Sequence, residues 1–345
     1  MLRMMESRLH HPSALSQETT LEENQLLWDD WHVLARSSDL PSNQPLPARL
    51  LGVDLVLWRA TNGQVLAWED RCPHRGMLLS TGRVVDNTLV CPYHGLAYNP
   101  KGHCVKIPAY PKLLPPRQAC VRTYTAQERY GLIFVSLGHP NQDIATFPVW
   151  NAPGYRQFLC GPYHYQASGL RVIENFFDIA HFPFVHDALL GDSSRPTVAD
   201  YQVAVNENGI TLSDVHVWQP DPDGTGHGAI VTNTYWIYRP LSLFFSKESK
   251  NMRLSISFMV TPVDEEACIG WMWTAMNYAH DLPESGLRAF QDRVVAQDIA
   301  IVEAQRPRRL PLNLNDEFHL PCDRASVAYR QWLSDLQITF GTTQS

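Results

Sequence analysis

Two five-residue stretches constrain this chain more than any other feature: CPHRG at residues 72–76 and CPYHG at residues 91–95. Each puts a histidine two or three residues after a cysteine, follows a short apolar run and ends in glycine. A site built for thiolates would use four cysteines, so the histidines need a reason of their own. The arrangement suits two loops at the tips of neighbouring strands that close on one buried group.

The surrounding pattern agrees. From Trp28 to Leu137 the runs RLLGVDLVLWR, QVLAWED, NTLVCPYHG and YGLIFVSLG are short, rich in Val, Leu and aromatics, and separated by Gly, Pro, Asn and Asp, which predicts an all-β domain. A stretch rich in Pro, Asn and Gly follows between Gly138 and Gly154 and reads as a seam. Length allows two domains of about 100–200 residues each. The expected division is a loose leader over 1–24, with Met4 and Met5 as alternative starts, a first domain over 25–145 and a second over 146–345.

In the second domain RVIENFFDIAHFPFVHDALL predicts a helix broken near Pro183, since proline lacks the backbone donor. Alternating runs (GITLSDVHVWQP, AIVTNTYWIYRP, LSISFMVTPV, CIGWMWTAMNY) then predict an antiparallel sheet, and a last helix is expected from about Ser285 to Arg306. The fold class is therefore α+β.

With 44% hydrophobic and 18% charged residues the chain is a folded protein, and a net charge of −7 gives no reason to expect nucleic acid as a partner. No run of about 18 apolar residues predicts a membrane span. Seven scattered cysteines suit a reducing cytoplasm.

Cys72 and His74, then Cys91 and His94, form C-x-H and C-x-x-H halves with sixteen residues between them. In a Rieske centre two thiolates hold one iron of a [2Fe–2S] cluster and two histidines hold the other, which raises the potential above that of all-cysteine clusters. A Cys₂His₂ zinc site uses the same ligand types, but its usual spacing puts both cysteines in one half. Cys104, Cys120, Cys160, Cys268 and Cys322 lack partner spacing and read as buried small hydrophobes.

A second constellation lies in RVIENFFDIAHFPFVH, where Asn175, Asp178 and His181 recur every three residues and His186 follows beyond Pro183. Two histidines and one carboxylate make the facial triad of Fe(II) enzymes that activate O₂. In the last helix Leu287, Phe290, Val294, Ile301 and Gln305 form a stripe with Asp298 in its middle, and a carboxylate there needs a partner. A metal and a salt bridge to Arg171 or Arg253 both meet that need. Asp292 falls on the opposite face and reads as solvated. His32, His103, His164, His216, His280 and His319 read as core or surface.

On these residues the sequence resembles the Rieske non-haem iron oxygenases, from Trp28 to nearly the end. The resemblance implies an N-terminal Rieske [2Fe–2S] domain and a catalytic helix-grip domain. Met77 and Tyr93 stand where respiratory Rieske proteins carry a disulfide, which implies the lower-potential type. Leu96 departs from the tryptophan usual after CPYHG. The family pattern N-x-x-D-x-x-H-x-x-x-x-H, followed by an aspartate in a helix ending in E-x-Q, implies that His181, His186 and Asp298 hold mononuclear Fe(II). It implies that Asp178 bridges to the His94 of a neighbouring chain in a head-to-tail homotrimer; for Asn175 a place near the iron, the orienting of a water and a place in the core all stay open.

The implied reaction is O₂-dependent insertion of oxygen into a C–H bond of a small organic substrate. It gives a hydroxylated product or, on an O- or N-methyl group, a demethylated one. No G-x-G-x-x-G fingerprint occurs, so NAD(P)H acts only through a separate ferredoxin or flavin reductase. RLLGVDLVLWR, RVIENFFDIAHFPFVHDALLGD and SVAYRQWL resemble the cyanobacterial saxitoxin-pathway hydroxylases, which implies a guanidinium alkaloid as a substrate lead. The pocket is expected to draw on Phe176, Phe177, Trp236, Tyr238 and Met272 to Tyr278. The readings of other classes are a Rieske electron carrier without oxygenase activity and a zinc hydrolase.

Overall fold

The computed structural model describes residues 23–222 and 224–343. The expected leader lies almost wholly outside them, Met4 and Met5 included. Its last residue, Asn24, is buried rather than loose. The Asn24 carboxamide donates to Thr339 Oγ1 at 2.8 Å and accepts from the Thr339 and Phe340 N–H groups, both at 2.9 Å.

Strands dominate the first half, where β-branched and aromatic residues alternate with turn formers. They are β1 (His32–Arg36), β2 (Leu46–Leu50), β3 (Val53–Arg59), β4 (Val65–Glu69), β5 (Arg83–Val85), β6 (Thr88–Val90), β7 (Ala97–Tyr98), β8 (Cys104–Lys106), β9 (Thr123–Arg129) and β10 (Leu132–Ser136). A six-stranded sheet runs β1-β10-β9-β4-β3-β2, and a four-stranded sheet β5-β6-β7-β8 stands beside it. RLLGVDLVLWR is not one strand but a hairpin, turned by Leu51 and Gly52 with φ of 49° and 78°.

The second half holds β11 (Arg156–Tyr165), β12 (Gln202–Asn206), β13 (Gly209–Gln219), β14 (Ala229–Arg239), β15 (Ser242–Ser249), β16 (Met252–Asp264) and β17 (Ala267–Met276). They form one antiparallel seven-stranded sheet, β11-β17-β16-β15-β14-β13-β12. Its helices, numbered after the short α1 (Gln25–Trp28), are α2 (Gly169–Phe177), α3 (Phe182–Val185), α4 (Glu284–Ala304) and α5 (Arg324–Asp335). Ser168 caps α2, its Oγ accepting from Leu170 N–H at 3.2 Å. Helix α4 lies along β11, where the Tyr163 hydroxyl donates to Asp292 at 2.6 Å; Asp292 is exposed as expected but engaged. No helix among the described residues is long and apolar enough to cross a membrane.

Two expectations about helices need correction. The break in RVIENFFDIAHFPFVH falls at Asp178, which is extended (ψ 132°), and not at Pro183. Pro183 sits in the first turn of α3, where its missing N–H costs nothing. Asn175, Asp178 and His181 therefore do not share one continuous helical face. In α4 the buried residues are Gln291, Val294, Val295 and Val302, whereas Ile301 is exposed.

Candidate metal centres

The two cysteine–histidine loops fold alike. In the first, Cys72 N–H donates to Met77 C=O at 2.8 Å and Gly76 N–H to Cys72 C=O at 2.8 Å. In the second, Cys91 N–H donates to Leu96 C=O at 2.9 Å and Gly95 N–H to Cys91 C=O at 3.1 Å. Gly76 and Gly95 have φ of 70° and 69°, which only glycine adopts without strain, so each motif ends in glycine for a backbone reason. The loops bring the His74 and His94 rings to 4.7 Å between centroids.

Cys72 and Cys91 are buried while His74 and His94 are exposed. Burial pushes the Cys91 thiol up, and so does the Cys72 thiol beside it, against the pull of the Tyr93 and His94 N–H groups. Two sulfurs side by side in an apolar pocket fit a cationic centre, and the exposed imidazoles give that centre an outward edge. Leu96 is buried in the same apolar cluster as both cysteines. The Tyr98 hydroxyl, fully buried, lies 3.1 Å from Cys72 Sγ.

The break after α2 shapes the second site. Asp178 Oδ1 accepts from Ala180 N–H at 2.9 Å and Asp178 Oδ2 pairs with His181 Nδ1 at 3.1 Å. That turns His181 Nε2 toward His186 Nε2, 3.2 Å away. Helix α4 brings Asp298 Oδ1 to 3.0 Å from His186 Nε2 and 3.5 Å from His181 Nε2. Neither arginine considered from the sequence is its partner: Arg171 pairs with Glu317 and Glu174, and Arg253 with Glu248.

Three ligand atoms thus surround one point at spacings that suit adjacent corners of an octahedron with bonds of about 2.1 Å. Asp298 Oδ1 is buried and accepts no well-directed hydrogen bond, which a cation would remedy. Burial opposes ionisation of Asp298, but His181 and His186 outweigh it and hold the carboxyl below its ordinary range. Burial likewise opposes charge on His181, yet Asp178 and Asp298 push it up to about 9. The residues fit a divalent iron.

The sequence offered no sign of Gln297, whose Oε1 lies 2.9 Å from His186 Nδ1. It completes a symmetry of support in which each triad histidine has a hydrogen-bond partner behind it. A cavity of about 100 Å³ opens on the triad, walled by Tyr165, Phe176, Tyr235, Phe258 and Met272, with Asn175 also on its lining. It shares Phe182, Phe245, Ile256 and Gln291 with an outer chamber of about 270 Å³ between the sheet and α4. Of the expected pocket residues, Phe176, Met272, Met276 and Tyr278 line these chambers. Phe177 instead packs on Tyr329, Trp236 is part-exposed against Phe244, and Tyr238 lines a separate cleft. Alternation in VTNTYWI was the available signal for Asn233 and Tyr235, since a polar residue stands there in an inward position.

Comparison with known proteins agrees with both halves. Residues 30–125 match the Rieske [2Fe-2S] domain and residues 165–337 the vanillate O-demethylase oxygenase C-terminal domain. Methylxanthine N1-demethylase NdmA of Pseudomonas putida is 31% identical over 94% of this chain and 93% of its own. The probable methylxanthine N7-demethylase NdmC of a Pseudomonas species is 37% identical over 62% of this chain and 78% of its own. NdmA solved with caffeine superposes with a TM-score of 0.80 at 29% identity, covering 92% of each chain. Dicamba monooxygenase bound to dicamba superposes with a TM-score of 0.75 at 26% identity, covering 90% of this chain and 97% of its own. These relatives lend no support to the saxitoxin resemblance. The chain belongs to the Rieske non-haem iron oxygenases: it is a monooxygenase-type oxidoreductase that uses O₂, a [2Fe–2S] cluster, a mononuclear iron and electrons from a reductase.

Proposed function

We propose that this oxygenase is an oxidative N-demethylase of a small methylated nitrogen heterocycle. The observation that carries the reading is the narrow aromatic chamber on the triad, about 100 Å³, which admits a methyl-bearing ring edge. The methylxanthine N-demethylases with which the chain aligns over nearly its whole length support the same choice. In this reading Cys72, His74, Cys91 and His94 hold the cluster, and His181, His186 and Asp298 hold the iron.

When bound, the two centres supply reductive activation of O₂. The chain's residues do the rest. Phe176, stacked on Phe258 at 4.8 Å between centroids, and Tyr235 flank the ring and keep water from the methyl group. Oxygen enters one C–H bond of the N-methyl group. The resulting N–CH₂OH then loses formaldehyde: the C–N bond breaks, the hydroxyl gives up its proton and the ring nitrogen gains one. Two electrons and two protons reduce the second oxygen atom to water.

Asp178, with its carboxylate part-exposed and already paired with His181, is the residue proposed to bridge to the His94 of a neighbouring chain in a homotrimer. Asn175 lies on the chamber wall and is assigned to positioning beside the iron. A cytoplasmic location, a ferredoxin or flavin reductase as partner, and the 25–145 and 146–345 division belong to the same proposal. Turnover with reductase, NAD(P)H and O₂ on a panel of N-methyl heterocycles tests it. One formaldehyde per demethylated product is expected, whereas hydroxylated product with the methyl retained would overturn it.

A further inference from the structure

One buried polar group near the chambers has no task so far. On β14 the alternating residues Val231, Asn233, Tyr235 and Ile237 are all buried, and Asn233 is the only one with a carboxamide. At 1% exposure its Oδ1 accepts no hydrogen bond. Its Nδ2 has only a long contact, 3.5 Å, to the Tyr235 hydroxyl. A buried carboxamide so poorly matched is costly, which makes a ligand its natural partner.

Its place is informative. Asn233 lines the outer chamber, and Tyr235, two residues along the same face, lines the chamber on the triad. One strand repeat, about 6.7 Å along the backbone, separates Asn233 from Tyr235 on the wall of the inner chamber. A fused heterocycle with its methyl at the triad would bring its far edge to Asn233.

The charges nearby select the kind of edge. Lys247 stands directly opposite Asn233 on β15, but its ammonium already donates to Gln219 Oε1 at 3.2 Å and Pro222 C=O at 3.3 Å. Among the described residues of the outer chamber the other charged side chain is Asp221. The outer chamber thus carries one side chain of each sign, so neither an anionic nor a cationic substrate meets a net opposite charge there. A neutral ring with a carbonyl beside a ring nitrogen matches a carboxamide, which offers both donor and acceptor.

We propose that Asn233 is a specificity-determining residue, pairing with the lactam or imide edge of an uncharged heterocycle and so setting which N-methyl group faces the triad. The inference rests on the N-demethylase reading. The test compares an N-methylated xanthine with an N-methylated indole, which lacks the carbonyls, on the holoenzyme with its reductase. Asn233→Leu is expected to raise KM for the xanthine by about tenfold or more and to change the methyl removed, with KM for the indole not raised. Equal effects on both substrates, or none on either, would overturn it.

Asn233→Ser, with iron and sulfide content checked, covers the case in which the leucine variant misfolds. An intermediate rise in KM for the xanthine alone is expected, and an unchanged KM overturns the assignment. If the wild type demethylates neither substrate, the N-demethylase reading fails. Calorimetric binding of the xanthine to wild type and Asn233→Ser then decides the subsite separately: weaker binding to the variant upholds it, and equal binding overturns it.

Discussion

Gln297 and Asp178 support the two triad histidines with unlike chemistry. In the proposed iron site the carboxylate of Asp178 would make His181 a stronger donor, while the neutral carboxamide of Gln297 would fix which nitrogen of His186 faces the metal without adding charge. Gln297→Leu removes that anchor and should weaken Fe(II) retention by roughly 10–100-fold, read as iron lost on chelator titration with the cluster spectrum unchanged. Tyr98 makes the matching case at the cluster. With Cys72 as a thiolate ligand, the buried hydroxyl 3.1 Å away donates to sulfur and stabilises the more negative, reduced cluster. Tyr98→Phe should therefore lower the midpoint potential in protein-film voltammetry while leaving iron and sulfide content intact. Neither residue was legible in the sequence as a partner. The cysteines and histidines stood out, because their signal lies in spacings of two, three and five residues; Gln297 lies 111 residues from His186 and meets it only when α4 packs.

Elements were legible where periodicity is local and misread where packing decides. The last helix was expected over Ser285–Arg306 and runs Glu284–Ala304, but RLLGVDLVLWR hid a turn because Leu51 adopts a conformation that its residue type does not announce. The break after α2 was misplaced for a similar reason. What holds α2 is a buried ion network: Arg330 pairs with Glu174 through Nε at 2.7 Å and Nη2 at 2.8 Å, and Glu317 joins Arg330 and Arg171 at 2.6 and 2.8 Å. Such a network fixes the end of α2, and with it Asp178, against α5. Arg330→Met removes both short hydrogen bonds to the buried Glu174, leaving it only the 4.0 Å approach of Arg171, and should cost about 3–5 kcal/mol, lowering the catalytic domain's melting temperature by about 10 °C. Acid sensitivity follows from Glu317. Burial opposes its charge, but Arg171 and Arg330 outweigh that and hold its pKa below the ordinary range. A depressed folded-state pKa adds stability above the unfolded value and loses it as pH falls through the folded one. Stability should therefore decline as pH drops below about 4.5, and Glu317→Gln should flatten that limb while lowering stability at neutral pH, both read from denaturant midpoints across pH.

At the scale of the molecule, the two proposed metal centres each present an outward edge. His74 and His94 are exposed, and Asp178 keeps its carboxylate part-exposed while holding His181. If electrons pass from the cluster of one chain to the iron of the next, the functional unit is a pair of half-sites drawn from different chains, and no single chain need be complete. That gives a direct test. His186→Ala subunits should keep a cluster but lose the iron, and Cys72→Ser subunits should keep the iron site but lose the cluster, so each homo-oligomer should be inactive. Co-expressed at equal amounts in a head-to-tail ring of three, half of the chains keep an iron site and half of those face an intact cluster, so about a quarter of the wild-type rate should return. Asp178→Asn introduced into the iron-bearing subunits should lower that recovered rate without changing iron content, because the bridge belongs to the receiving chain. Transfer confined within one chain would instead leave every mixture inactive.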